Sequence, residues 1–206
     1  MQRIIGLAGK MRSGKGLLAN WLNEEYGYSY FEVADAIKNI CVDILDLDNR
    51  EQLDILKNNY RKIGMHFTES LCERFAKECN VSAEFFKKKM LDKDIQTVRE
   101  LLQVIGTDVL RAYDPNWHIN RLMDEVMPVV KDGGSVVIAD VRFPNEKLAI
   151  EGIGGKVYYV EPYGKSDKSD HISENSLSEG DFNEMFIINN DSDEKALIEE
   201  FEKKMR

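Results

Sequence analysis

Residues 3–25, RIIGLAGKMRSGKGLLANWLNEE, constrain the fold more than any other stretch. An apolar run, Arg3–Ala8, meets a glycine-rich loop without a spacer. Leu17, Leu18, Trp21 and Leu22 then recur on one face of a helix expected from about Gly14 to Glu25. A run this short and this apolar is buried on both faces, as strands of a parallel sheet are. The loop reads G-x-x-x-x-G-K-G, one letter from the pattern whose backbone N–H groups and helix N-terminus cradle phosphates. Gly9, Lys10, Arg12, Ser13, Gly14, Lys15 and Gly16 are therefore candidate contacts to a nucleoside triphosphate, with Lys15 reaching its β- and γ-phosphates. Gly16 stands where the pattern has a Ser or Thr whose hydroxyl holds magnesium. Ser13 lies too early in the loop to be assumed its substitute.

Further strands are expected at residues 28–35 (YSYFEVAD), 135–140 (SVVIAD), 156–161 (KVYYVE) and 185–189 (MFIIN). Helices alternate with them: DAIKNICVDIL after the second strand, EKLAIEG after the third and SDEKALIEEFEKKM at the end, with Ser192 or Asp193 near its start. This alternation predicts an α/β fold, a five-stranded parallel sheet with helices on both faces. Residues 36–130 are too long for one crossover and predict a helical insertion, leaving 1–35 and 131–206 as the core domain. Within the insertion, 48–95 is rich in charge and without proline. Leu53, Leu56, Tyr60 and Ile63 recur at helical spacing there. Asp48 with Glu51 and Thr97 with Glu100 read as helix caps, the second starting a helix at Val98 that runs to about Ala112. Ser82 caps a short helix ending near Met90, and Asp114-Pro115 starts another.

Lys and Arg number 28 against 37 Asp and Glu, a net charge of −9 that argues against a basic nucleic-acid-binding face. Cys41, Cys72 and Cys79 form no C-x-x-C pair, and His66, His118 and His171 show no metal-ligand spacing. No apolar stretch approaches the ~18 residues of a membrane span, which leads to the expectation of a cytoplasmic protein, in the host cytoplasm if phage-encoded. Asp140, which ends the most strand-like stretch in the chain, stands at the sheet's carboxyl edge, where ligands bind in this architecture. It is a candidate to hold magnesium through water, and Arg142, two residues on, to face phosphates. Asp35 follows the second strand, as a helix cap or as a group orienting an acceptor. Trp117 reads as core rather than as a stacking platform.

Together GKMRSGK, FEVADAIKNIC, TVRELLQVIGTDVLR, DPNWHI, VVIADVRFPNE and DHISE resemble the bacteriophage-type deoxynucleoside monophosphate kinases, relatives of adenylate kinase. The likeness spans nearly the whole chain and is sparse in 48–95. It implies transfer of the ATP γ-phosphoryl group to a deoxynucleoside 5′-monophosphate for DNA precursor supply, with ATP and Mg2+ as cofactors. Lys15, Asp140 and Arg142 are then catalytic. Arg99 and Arg111 hold the acceptor phosphate, Gln103 reads the base, and Asp35 and Arg142 also face the acceptor. The resemblance makes 36–130 the acceptor-binding lobe and 162–183 a lid bearing Lys165, Lys168 and His171, without the arginines of other lids. In the family the residue after the loop lysine is often acidic, so a missing hydroxyl is expected of this branch, although glycine itself departs from it. Nucleotides are the expected partners, with no stable nucleic-acid or membrane binding and a homodimer among the expected assemblies. Two rivals remain open. One is a P-loop kinase for another small acceptor, of phosphomevalonate or dephospho-coenzyme A type; the other is a nucleotide-binding regulator without turnover.

Overall fold

The computed structural model describes residues 2–161, 176–190 and 193–205. The chain divides into two compact units, one of Met1–Val33 with Arg121–Arg206 and one of Ala34–Asn120.

The first unit is built on a five-stranded sheet of β1 (Ile4–Ala8), β2 (Ser29–Glu32), β5 (Val136–Val141), β6 (Lys156–Val160) and β7 (Ile187–Ile188). Its order is β2-β5-β1-β6-β7, and every pairing is parallel. All five residues of β1 are buried, because β1 sits at the centre with helices around the sheet. Ile5 and Leu7 share one core with Leu18 and Leu22 of α1 (Lys15–Tyr26), and with Leu197 and Phe201 of α9 (Glu194–Met205). Each such fully buried side chain stabilises the unit by about 1.5–3 kcal/mol over an exposed one. On the opposite face Gly6 lies under α8 (Pro144–Gly152). A Cβ there would come within 2.9 Å of Val157 and 3.2 Å of Ile150. The expected end of the closing helix holds, with Asp193 Oδ1 accepting from the Lys195 N–H at 3.1 Å.

The second unit contains α2 (Asp35–Ile44), α3 (Arg50–Asn58), β3 (Lys62–His66), α4 (Glu69–Cys79), α5 (Ala83–Met90), β4 (Asp94–Thr97) and α6 (Val98–Gln103). A π-helical stretch, Val104–Arg111, then follows without a break, and α7 (Trp117–Lys131) begins after a turn. Its core groups Phe67, Phe75 and Phe86 at centroid separations of 5.4–6.3 Å, with Cys41, Cys72 and Cys79 as buried thiols and Trp117 buried beside them. Burial and the neighbouring Cys79 push the Cys41 thiol far above its usual range, so it behaves as an apolar filler.

The uniformly helical reading of 48–95 is corrected here. Leu53 and Leu56 lie on α3, but Tyr60 adopts a left-handed backbone (φ 50°) and the chain turns into β3, which pairs antiparallel with β4. The cap of α3 is Asn49, whose Oδ1 accepts from the Gln52 N–H at 3.1 Å. Asp48 instead accepts from the Gln52 side chain. Ser82 and Thr97 cap their helices as expected, accepting from Phe85 and Glu100 N–H groups. Asp114-Pro115 stands two residues ahead of α7 rather than at its first turn, and Asp114 Oδ1 accepts from the Asn116 N–H.

Candidate active site

The glycine loop joins β1 to α1 at the sheet's carboxyl edge, with β5 and β6 as the neighbours of β1; the chain runs from β1 to one side of it and from β5 to the other. Its glycines are set by geometry. Gly9 takes φ 138°, and a Cβ there would collide with the Val160 carbonyl oxygen and come within 2.8 Å of Ser13 Oγ. Gly14, at φ 96°, is the left-handed residue before α1. Ser13 is fully buried, and its Oγ has no hydrogen-bond partner among the described residues. The Ser13 carbonyl accepts from Asn190 Nδ2 at 2.8 Å, which ties the loop to the segment after β7. A Cβ on Gly16 would meet nothing within 4 Å, so no packing demands glycine at the hydroxyl position.

Lys15 opens α1 and is nearly buried. Its Nζ donates to the Lys10 carbonyl at 2.8 Å and lies 3.4 Å from Asp140 Oδ1. The second oxygen of Asp140 accepts from Arg142 Nε at 2.8 Å. One carboxylate thus stands between two cations at the mouth of the loop, and the trio keeps a net positive charge for an anion. Asp140 reaches this position through an irregular strand end. Gly6 pairs with Ile138 but Ala8 pairs with Val141, so β5 carries one extra residue, and Asp140 sits in it at φ 63°. Such a bulge re-aims a side chain, and a left-handed non-glycine residue costs about 1–3 kcal/mol that the surrounding structure must offset.

Glu146 supplies part of that support. It is fully buried, and its Oε2 accepts from the Arg142 N–H at 2.7 Å and the Phe143 N–H at 3.1 Å. It therefore fixes the backbone that aims Arg142. The sequence reading assigned it no role, although Pro144 followed by a Glu two residues on is a helix-start signal. Asn190 is also new, and nothing in the sequence marks it.

In the second unit, Asp35 lies in the first turn of α2, one residue past the cap position, which Ala34 occupies. Its Oδ1 pairs with Arg50 Nη2 at 3.0 Å, while Arg50 Nη1 donates to Asn39 Oδ1 at 2.9 Å. Burial raises the Asp35 carboxyl above its ordinary range, against the pull of Arg50. Arg99 lies over the Tyr60 ring at 5.1 Å, and Gln103 is half-buried one turn on. Arg111 Nη1 donates to the Pro115 carbonyl at 3.4 Å. Arg99, Gln103 and Arg111 thus share one helical segment, whereas Asp35 pairs with a residue outside the expected set. Lys165, Lys168 and His171 lie outside the described residues. The described end of the expected lid is packed: Phe182 meets Tyr159 at 5.3 Å and carries Lys147 over its ring.

Among the described residues no group of three or more His, Cys, Asp or Glu is arranged to hold a metal, and no helix is long and apolar enough to cross a membrane. A parallel sheet with helices around it and a basic cluster at a glycine loop define an α/β fold of the nucleotide-kinase kind. The sequence model of the Deoxynucleotide monophosphate kinase family matches residues 42–205, and the chain belongs to that family, a family of phosphotransferases. It is also 28% identical, over 96% of its length and 91% of the relative's, to a protein of Acanthamoeba polyphaga mimivirus named "Putative deoxynucleotide monophosphate kinase".

Proposed function

We propose that the chain transfers the γ-phosphoryl group of ATP to the 5′-phosphate of a deoxynucleoside monophosphate, giving ADP and the diphosphate for DNA precursor supply. The observation that carries this reading is the Lys15–Asp140–Arg142 cluster at the glycine loop, in a member of this family.

The acceptor needs no general base. Its second phosphate pKa is about 6, so at neutral pH an ionised oxygen attacks the γ-phosphorus while the bond to the β–γ bridging oxygen breaks and ADP leaves. The protein supplies charge neutralisation and in-line alignment. The loop N–H groups and Lys15 bind the donor phosphates. Arg142, held by Asp140 and by Glu146 through its backbone, stabilises charge on the transferring group. Asp140 would hold magnesium, which would supply charge neutralisation on the donor phosphates. Both of its oxygens face cations and Gly16 carries no hydroxyl, so the donor set fits contact through water, which magnesium commonly retains. Arg99, Gln103 and Arg111 are assigned to the acceptor.

The test is a panel of deoxy- and ribonucleoside monophosphates with Mg-ATP, with products resolved by anion-exchange chromatography. Diphosphate formation from one or more deoxynucleotides is expected. ATP binding without transfer to any monophosphate favours a regulator instead. Transfer only to phosphomevalonate or dephospho-coenzyme A moves the chain to another kinase activity.

A further inference from the structure

The helix that starts at Val98 is α-helical only to Gln103, and Val104–Arg111 is wound with i→i+5 hydrogen bonds. The winding decides which side chains share a face. In an α-helix every fourth residue advances about 40°, so three such steps from Arg99 carry position 111 about 120° away. In a π-helix a fourth residue falls short of a full turn, by about 30°. One α step and two π steps therefore keep Arg99, Gln103, Thr107 and Arg111 in a row, with its two ends only about 20° apart. These four are half-buried, as are Glu100, Leu102 and Val104, while Leu101, Ile105, Val109 and Leu110 are in the core. Within this stretch the Gly106 carbonyl accepts from the ring Nε2–H of buried His118 at 2.9 Å.

We propose that this row binds the acceptor nucleotide lengthwise, with the base at the Arg99 end, the sugar against Thr107 and the phosphate at Arg111. The proposal rests on the acceptor reading above. It adds Thr107 as a specificity-determining residue and moves Arg99 from the phosphate to the base. The steps along the row rise about 6 Å and then about 5 Å each, matching the succession of base, sugar and phosphate.

The two ends differ in chemistry. Arg99 lies over the ring of Tyr60, which is 58% exposed and held at φ 50°, a backbone that costs a tyrosine energy and that concentrates at ligand sites. A guanidinium over an aromatic ring is a layered platform for a planar base. Gln103, next along, presents both a donor and an acceptor to the base edge. Arg111 offers its fork to phosphate oxygens. Thr107, between them, is short and branched, and its bulk beside the sugar admits a 2′-hydrogen and excludes a 2′-hydroxyl.

Calorimetric titration of the full chain separates the ends, using a deoxynucleoside, 2-deoxyribose 5-phosphate, and the deoxy- and ribonucleoside monophosphates of one base. Arg111→Gln is expected to weaken 2-deoxyribose 5-phosphate by about tenfold or more while leaving the deoxynucleoside within about twofold. Arg99→Gln and Tyr60→Ala are expected to do the reverse. Thr107→Ala should shrink the deoxy-over-ribo preference by about tenfold, the scale set by a methyl-sized change in a pocket. Thr107→Val, of equal volume, should retain that preference. Loss of sugar-phosphate binding in Arg99→Gln, or an unchanged preference in Thr107→Ala, overturns the lengthwise assignment in a chain that still phosphorylates deoxynucleotides. A wild-type chain that neither binds nor phosphorylates any deoxynucleoside monophosphate overturns the function itself, and the row with it.

Discussion

Glu146 offers the sharpest link between fold and chemistry. Its carboxylate is fully buried, and one oxygen takes two backbone N–H groups, from Arg142 at 2.7 Å and from Phe143 at 3.1 Å. Glu146→Ala leaves both donors without that acceptor, at about 1–3 kcal/mol each, so the expected loss is about 3–4 kcal/mol. Glu146→Gln keeps an oxygen of the same shape and loses only the charge assistance, about 1–2 kcal/mol. Urea unfolding measures both. A Trp117→Phe background leaves Trp21 as the sole tryptophan, in the same unit as Glu146. If Glu146 acts on activity only by holding the Arg142 backbone, Glu146→Gln should lower kcat with little change in KM for ATP. Its effect should also largely vanish in an Arg142→Ala background, a coupling that a double-mutant cycle reads directly. A stability loss under about 1 kcal/mol for Glu146→Ala, or full additivity with Arg142→Ala, would refute the reasoning.

Lys15→Ala should abolish phosphoryl transfer with the fold retained, checked by circular dichroism. On the role proposed for Arg142, a charge acting mainly in the transition state, Arg142→Ala should lower kcat by about 10³-fold with a smaller rise in KM for ATP. Gly16→Ser should fold at unchanged or slightly higher melting temperature, because a Cβ meets nothing within 4 Å and serine is the better helix former. It should also lower the magnesium concentration at which ATP binding is half-maximal, and an unchanged requirement would show that a hydroxyl here does not reach the metal. At Asp54, burial raises the carboxyl, but the Lys57 hydrogen bond and the charges of Lys57, Lys38 and Arg50 outweigh it, so it titrates below its usual value. A carboxylate depressed in this way contributes stability above its unfolded pKa and loses it as pH falls through the folded value. The gap between wild type and Asp54→Asn, about 0.5 kcal/mol for a half-buried pair one helical turn apart, should be full at pH 7 and close at acid pH, as read from melting temperatures.

The central sheet was legible because its strands are buried on both faces and read as apolar runs whatever surrounds them. The hairpin of β3 and β4 was not. Its alternation, Ile63 and Met65 between Lys62, Gly64 and His66, is only half-buried, and Ile63 also fell in step with the helical spacing of Leu53 and Leu56. The residue that ends the confusion is Tyr60, which takes the left-handed turn usually marked by glycine or asparagine. A tyrosine there announces nothing.

The site divides along the same physical line. That Lys15, Asp140 and Arg142 come together at one sheet edge could be read from chain position alone, because a loop after a strand and a residue at a strand end have predictable places in a parallel sheet. What chain position cannot supply is the extra residue in β5 that turns Asp140 toward Lys15, since a bulge depends on how two strands compete for register. Arg99 and Arg111 came only from family likeness, for on a helix of 3.6 residues per turn they belong to different faces. RELLQVIGTDVLR places polar residues at 99, 100, 103, 107, 108 and 111, a spacing that an ordinary amphipathic α-helix also gives. On such a helix a row at steps of four drifts by about 120° over three steps. The looser winding from Val104 onward, which the spacing does not announce, is what draws 99, 103, 107 and 111 together, because it depends on how the backbone hydrogen bonds are shared and not on which side chains are polar.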